Sequence, residues 1–262
     1  SEIFLVMVSG MGTIAGSVMG TYIGMLGGTD PAAKVLFATH LLSASVMAVP
    51  GSIVLAKMLC PQTEEATDHV AISGKEKENS NILDAISSGT VTGVKLMTNI
   101  AAMLLVFISL VALANYITEG VIGRYTGLNV KITDGKAQGL TFQFILGVIT
   151  SPFMWLIGVP SQDIMLVGSL LGQKTILNEF VAYFQLQQWK DAGLFMYEKS
   201  ILMSTYILCG FANISSIGIL LGGLGVLAPE KRGLISRIGV PAMIGGALVS
   251  VLSATIIGMI LG

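Results

Sequence analysis

The chain has 262 residues, of which 53% are hydrophobic and only 11% charged, with a mean hydropathy of +0.81. That balance excludes a soluble globular domain and reads as a polytopic protein solvated by a lipid bilayer. The net charge of −1 speaks against a nucleic-acid partner, and two cysteines, Cys60 at a membrane edge and Cys209 in mid-span, offer no disulfide framework.

In chain order, residues 3–26 are charge-free and long enough to cross a bilayer, which takes about 20 apolar residues. The chain starts at Ser1, without methionine and without a signal-peptide pattern, almost directly in this run, which leads us to expect an N-terminally truncated chain. Thr29-Asp30-Pro31 makes a turn. Residues 32–58 form a second span, kinked at Pro50-Gly51 and ending near Lys57, whose long stem reaches the interface. Residues 61–81 carry mixed charge and read as an aqueous loop. Residues 82–95 mix Asp84 and Lys95 with Gly and Ser, as a segment lying on the membrane surface does. Residues 96–118 are the third span, and 120–139 are polar again.

Residues 140–159 are apolar but interrupted by Pro152, Gly158 and Pro160. They fit either one crossing or a partial-depth helix pair. Next come two apolar arms, 164–173 and 180–186, neither long enough to span. Lys174, Asn178 and Glu179 lie between them. This is the pattern of a re-entrant hairpin with its tip near residues 176–180, which the bilayer tolerates where protein covers the tip. Residues 200–229 contain no charged side chain and form the fourth full span. A basic loop with Lys231, Arg232 and Arg237 leads into the last span, 238–262.

The fourth span has the wrong middle for an ordinary helix. Asn213, Ser215 and Ser216 are polar, and Gly210, Gly218, Gly222 and Gly223 weaken the helix around them, so it reads as broken. It also has a twin 200 residues earlier. Gly10-Met11-Gly12-Thr13-Ile14-Ala15-Gly16-Ser17 answers Gly210-Phe211-Ala212-Asn213-Ile214-Ser215-Ser216-Ile217, with Gly and Ile in common and Thr13 opposite Asn213. Each is followed by a Gly-rich run. Counting crossings, three spans and a hairpin that returns to its own side make the two broken helices antiparallel, as in transporters built from inverted repeats. The alternative is a pair of Gly-rich packing helices of the small-xxx-small kind.

The chain thus divides into a first-repeat broken helix with its following span (1–60), a polar loop and interfacial segment (61–95), a scaffold-type span and loop (96–137), and a second repeat holding hairpin, broken helix and last span (138–262). The fold class is all-α: a polytopic membrane protein with inverted repeats, broken transmembrane helices and a re-entrant helical hairpin. Basic residues near span ends place the loops at 61–81 and 230–237 on the cytoplasmic side.

Glu179 is the sharpest chemical feature, because an ionisable residue at membrane depth is costly and usually faces a cavity with a partner. With Asn213 and Ser216, three apart and so on one helix face, it offers a carboxylate, an amide and a hydroxyl. That set both accepts and donates hydrogen bonds and suits a polyhydroxylated solute. Interhelical glue is the alternative for Asn213 and Ser216, and a solvated interfacial position for Glu179. Thr13, beside backbone loosened by Gly12 and Gly16, presents oxygens of the kind a small hard cation prefers, or simply packs. His40, alone in its span, reads as a hydrogen-bonded core histidine. The two histidines are too far apart for a metal cluster, and no nucleophile–base pair points to an enzyme.

Several motifs carry a resemblance. Asn178-Glu179-Phe180-Val181-Ala182-Tyr183, Cys209-Gly210-Phe211-Ala212-Asn213, Gly222-Gly223-Leu224-Gly225 with Ala228-Pro229, Gly158-Val159-Pro160, and Thr13-Ile14-Ala15-Gly16-Ser17-Val18 together resemble the concentrative nucleoside transporter family, in order along nearly the whole chain. The resemblance implies an elevator-type, cation-coupled nucleoside symporter of the cell membrane, assembled as a homotrimer, with sodium as coupling ion and no other cofactor. Proton coupling and a non-transporting gate or scaffold subunit are the alternatives. It further implies that Glu179, Asn213 and Ser216 meet the ribose, that Phe211 lines the pocket, that Val18 lies near the base, and that Thr13 and Ile14 help bind sodium. The family's first hairpin, with a Gly-Gln-Thr-Glu motif that reads the base, has no counterpart in these residues and is expected to precede Ser1.

Overall fold

The computed structural model describes residues 2–63, 81–129 and 139–262. Among them the regular elements are helices. The loop expected at 61–81 lies mostly, and that at 120–139 partly, outside the described residues.

The first apolar run is two helices, α1 (Glu2–Gly12) and α2 (Gly16–Gly27), separated at Thr13-Ile14-Ala15. Asp30 caps α3 (Pro31–Leu59) by accepting the Ala32 N–H at 2.9 Å, with Pro31 at the first helical position, where its missing N–H costs nothing. Pro50 lies inside this helix, and Lys57 in its last turn.

Residues 82–95 are not separated from the span that follows. They are the first turns of one continuous helix, α4 (Ile82–Asn115). At two positions polar side chains bond to the helix itself. Asn81 caps the Asp84 N–H at 2.9 Å, and the Thr90 hydroxyl donates to the Ile86 carbonyl at 2.8 Å. Such back-bonding satisfies a hydroxyl without breaking a helix. The helix then runs on through π-helical turns at Tyr116–Gly123 and a last turn at Arg124–Thr126, past the expected start of the polar stretch at 120. The Glu119 carbonyl is met by the Asn129 side chain at 2.9 Å.

Residues 140–159 give α5 (Phe142–Leu156), 15 residues long. At 1.5 Å per residue that is about 22 Å, short of a bilayer core of roughly 30 Å. By length the helix fits partial depth better than a full crossing. Gly158, at φ +84, turns the chain into α6 (Ile164–Ile176), which packs antiparallel against α5. A side-chain carbon at Gly172 would meet Leu146 Cβ at 2.6 Å, and one at Gly168 would meet Thr150 Oγ1 at 2.6 Å, so the absent side chains let these backbones approach.

Helix α7 (Glu179–Asp191) follows α6 after only Leu177 and Asn178. The pair is a hairpin, because its two ends are tied together. Buried Asp163, at the foot of α6, accepts the backbone N–H groups of Met196 and Tyr197 at 2.9 and 3.0 Å. The chain leaves where it entered.

The long apolar stretch 200–229 is again two helices, α8 (Glu198–Leu208) and α9 (Ile214–Leu227), with residues 209–213 between them. Finally α10 (Arg232–Ile260) runs beside both breaks. Its neighbours fix the directions. Gly245 and Gly246 lie against Val8 and Met11, and Val249 against Gly12, so α1 runs parallel to α10. Gly239 lies against Ile217 and Gly258 against Met203, so α8 and α9 run antiparallel to it. The two broken helices therefore oppose one another in direction, as their sequence likeness and the crossing count require.

Among the described residues, three helical segments are long and apolar enough to cross a membrane: Glu2–Gly27 taken across its break, Pro31–Leu59 and Arg232–Ile260. The exterior is apolar too, with Val46 and Met58 each 70% exposed on α3, a surface that suits lipid rather than water. The core joins α2, α3, α6, α7 and α8 around Tyr22, Leu41, Leu170, Tyr183 and Met203. His40 is hydrogen-bonded as expected, its Nδ1 standing 3.1 Å from the Tyr206 hydroxyl.

Candidate functional site

Three interruptions of regular structure meet at one place: the break after α1, the break after α8 and the hairpin tip. Each follows from local sequence. At the tip, Asn178 is extended (φ −168, ψ 170) and its side-chain oxygen caps α7 by accepting the Val181 N–H at 2.9 Å. This makes Glu179 the first residue of α7 and holds its carboxylate at the helix N-terminus, where negative charge is favoured.

At the second break Asn213 is likewise extended (φ −145, ψ 170) and caps α9. Its Oδ1 accepts the Ser216 N–H at 2.8 Å and the Ser215 hydroxyl at 2.6 Å. The Ser216 hydroxyl, in turn, accepts the Asn213 N–H at 3.2 Å. This is a capping box, and caps of this kind are worth about 1 kcal/mol. With Oδ1 committed to donors, the Asn213 Nδ2 is left to donate to Glu179 Oε2, at 3.1 Å. The other carboxylate oxygen, Oε1, accepts from the Tyr22 hydroxyl at 3.4 Å. Tyr22 is fixed by stacking on Tyr183, ring centres 4.2 Å apart, and Tyr183 is anchored by donating to the Thr205 carbonyl at 2.8 Å.

Beside these groups lies a cavity of about 640 Å³, lined by all three elements. Glu179 and Asn178 come from the tip. Thr13, Ile14, Val18 and Tyr22 come from the first broken helix, and Phe211, Ser215 and Ile219 from the second. A volume in this range fits a small organic solute. Its lining is mostly apolar, with a carboxylate and hydroxyls gathered where the tip meets the breaks.

The residues singled out from sequence are thus placed as follows. Glu179, Phe211, Val18, Thr13 and Ile14 border one cavity. Asn213 is fully buried and reaches the site through Glu179. Ser216 is fully buried as well, its hydroxyl donating to the Asn213 carbonyl at 2.6 Å. The shared helix face expected for Asn213 and Ser216 does not form, because Asn213 stands outside the helix as its cap. Of Ser215 and Ser216, it is Ser215 that lines the cavity. Thr13 donates weakly to the Ser9 carbonyl, at 3.4 Å. Sequence reasoning missed Tyr22, whose phenol in a charge-free run was the available signal. It also assigned no role to Lys174, a lone cation between two apolar arms.

The comparisons agree with this architecture. A family model described as Na+ dependent nucleoside transporter C-terminus matches residues 40–258. The chain is 39% identical to an uncharacterized transporter of Haemophilus influenzae, over 100% of this chain and 59% of that protein. It is 38% identical to the rat sodium/nucleoside cotransporter 1, over 99% of this chain and 39% of the relative. Among solved structures, CNTnw in an inward-facing substrate-bound state aligns with a TM-score of 0.81 and 37% identity, covering 100% of this chain and 57% of that one. The chain thus spans less than two thirds of the length of these relatives. Matched over residues 40–258 by that family model, and along its length by a cotransporter sequence and by a transporter structure, this multi-pass membrane chain belongs to the concentrative, Na+-dependent nucleoside transporter family.

Proposed function

We propose that the protein containing this chain is a nucleoside symporter driven by a sodium gradient, and that Glu179 reads the sugar. The observation that carries this reading is the placement of one carboxylate at a protein-covered hairpin tip, bordering a largely apolar cavity between two antiparallel broken helices. Two of its lone pairs are taken by Asn213 and Tyr22. A carboxylate has about four acceptor sites, so capacity remains for sugar hydroxyls. Ser215 adds a hydroxyl, while Val18, Phe211 and Ile219 supply an apolar wall suited to the flat base. Relatives named as sodium/nucleoside cotransporters support the substrate class and the ion.

Thr13 and Ile14 are the sodium-side residues in this reading. They sit where α1 ends and its last carbonyls lack helical partners. Sodium drives uptake by linkage: it favours the nucleoside-loaded state, and the nucleoside favours sodium binding by the same factor. The tip, the two breaks and α10 move as one body in an elevator-type cycle, on a scaffold that includes α4, within a homotrimer.

The test is uptake of labelled uridine by the full-length protein in proteoliposomes. An inward sodium gradient should drive accumulation that a choline gradient does not. Accumulation driven equally by a proton gradient in sodium-free buffer would replace sodium by the proton, and no accumulation under either gradient would remove the transport reading altogether.

A further inference from the structure

Lys174 lies in the inner arm of the hairpin and is fully buried. Among the described residues no carboxylate pairs with it. A buried ammonium in a membrane protein is costly and marks a function by default. What compensates it here is one backbone carbonyl and one hydroxyl: Nζ donates to the Ile207 carbonyl at 2.7 Å and to the Ser250 hydroxyl at 2.8 Å.

The Ile207 carbonyl is one of the last of α8, which ends at Leu208. The final four carbonyls of a helix have no partner within it, and they form the negative end of its dipole, where a cation is favoured. Lys174 therefore neutralises the C-terminal end of α8 at the second break. The first break has the same polarity: α1 ends at Gly12, and its last carbonyls are likewise freed. The two ends lie almost back to back, with Gly210 between them. A side-chain carbon there would stand 3.2 Å from Lys174 Nζ and 3.2 Å from the carbonyl oxygens of both Met11 and Gly12. Any larger residue would separate them.

Both breaks border the cavity, the first through Thr13, Ile14 and Ala15 and the second through Phe211; they differ in what meets the freed carbonyls. At the first the end of α1 opens beside the cavity, so a cation there can exchange. At the second the Ile207 carbonyl is already taken by Lys174 Nζ, on a side chain that cannot leave. We infer that the Lys174 ammonium is a tethered cation, holding at the second helix break the place that a dissociable cation takes at the first. It thereby limits the number of coupling ions this part of the protein binds. The consequence for coupling rests on the symporter reading above; the tether itself does not.

The test is Lys174→Ser in the full-length protein, purified in sodium. The shorter side chain would leave its own hydroxyl, the Ser250 hydroxyl and the Ile207 carbonyl, which are oxygen ligands of the kind a hard cation takes. Thermal unfolding is compared in sodium chloride and in choline chloride at equal ionic strength, without nucleoside. Sodium should raise the midpoint of K174S by about 3 °C or more beyond its effect on wild type, as expected for a new site near-saturated with ion. Lys174→Arg, which keeps a cation, should respond to sodium as wild type does. Lys174→Met, with neither charge nor oxygen, should melt early in both salts. In proteoliposomes K174S should move about one more charge per nucleoside than wild type. Equal sodium effects on wild type and K174S, a K174M that melts like wild type, or a K174S that is unfolded even in sodium would each overturn the tether. A wild type that transports no nucleoside, beside a K174S with the added sodium stabilisation, would sink the symporter reading and leave the tether standing.

Discussion

Replacing Glu179 by glutamine isolates the charge of the carboxylate from its shape. In the native site Oε2 accepts from Asn213 Nδ2 at 3.1 Å and Oε1 from the Tyr22 hydroxyl at 3.4 Å. Glutamine keeps both contacts: its carbonyl takes the Asn213 amide, and its NH2 donates to the Tyr22 oxygen, whose own proton turns towards the cavity that Tyr22 lines. The capping of α7 by Asn178 does not involve the Glu179 side chain, so the fold should persist. What changes is the bond to a sugar hydroxyl. Hydrogen bonds to a charged group contribute about 1.5–3 kcal/mol and neutral ones about 0.5–1.5, a ratio of roughly two. The difference, about 1–1.5 kcal/mol, is close to tenfold in affinity. The assay is competition of labelled uridine uptake by uridine, its 3′-deoxy form and free uracil, in wild type and E179Q. Wild type should rank uridine first by a wide margin, since a site with paired polar groups rejects analogues that leave them unpaired. E179Q should bind uridine about tenfold more weakly and show a narrower ranking. If uracil competes as well as uridine in wild type, or if E179Q leaves the ranking untouched, the carboxylate does not read the sugar.

Thr13→Val should raise the sodium concentration for half-maximal uptake while leaving the unfolding temperature in choline unchanged, because its hydroxyl makes only a long bond to the Ser9 carbonyl; an unchanged sodium dependence would remove Thr13 from the ion site. Single cysteines placed along residues 173–180, with Cys60 and Cys209 replaced, should react with membrane-impermeant reagents from one face only, because Asp163 holds the two ends of the hairpin together. Labelling of residues 164 and 186 from opposite faces would instead require an ordinary crossing. Gly172→Val should destabilise the protein by about 1–3 kcal/mol through overpacking, since a side-chain carbon there meets Leu146 Cβ at 2.6 Å; thermal unfolding at wild-type temperature would show that α5 and α6 separate at little cost.

Much of the architecture is legible in the residues because the bilayer is a strict solvent. A charge-free run is read as a span by length alone, and arms too short to cross can only turn back. Weak likeness between two interrupted spans, combined with a count of crossings, gives their antiparallel course before any coordinate is known. Glu179 stands out for the same reason, as a charge where charge is costly. What composition did not show is that 82–95, set apart by its polar side chains, runs on into one helix, α4, with the Thr90 hydroxyl bonded to the helix itself.

The site itself needed tertiary structure. Helical spacing puts Asn213 and Ser216 on one face, but spacing holds only inside a helix. Where α9 begins decides that Asn213 is its cap, that Ser216 closes the capping box and that Ser215 meets the cavity. Tyr22 reaches Glu179 across 157 residues of sequence, and Lys174 reaches Ser250 across 76. No local pattern encodes such contacts. The sequence sets which groups are costly to bury; only the packing of distant segments decides which partner makes each burial tolerable.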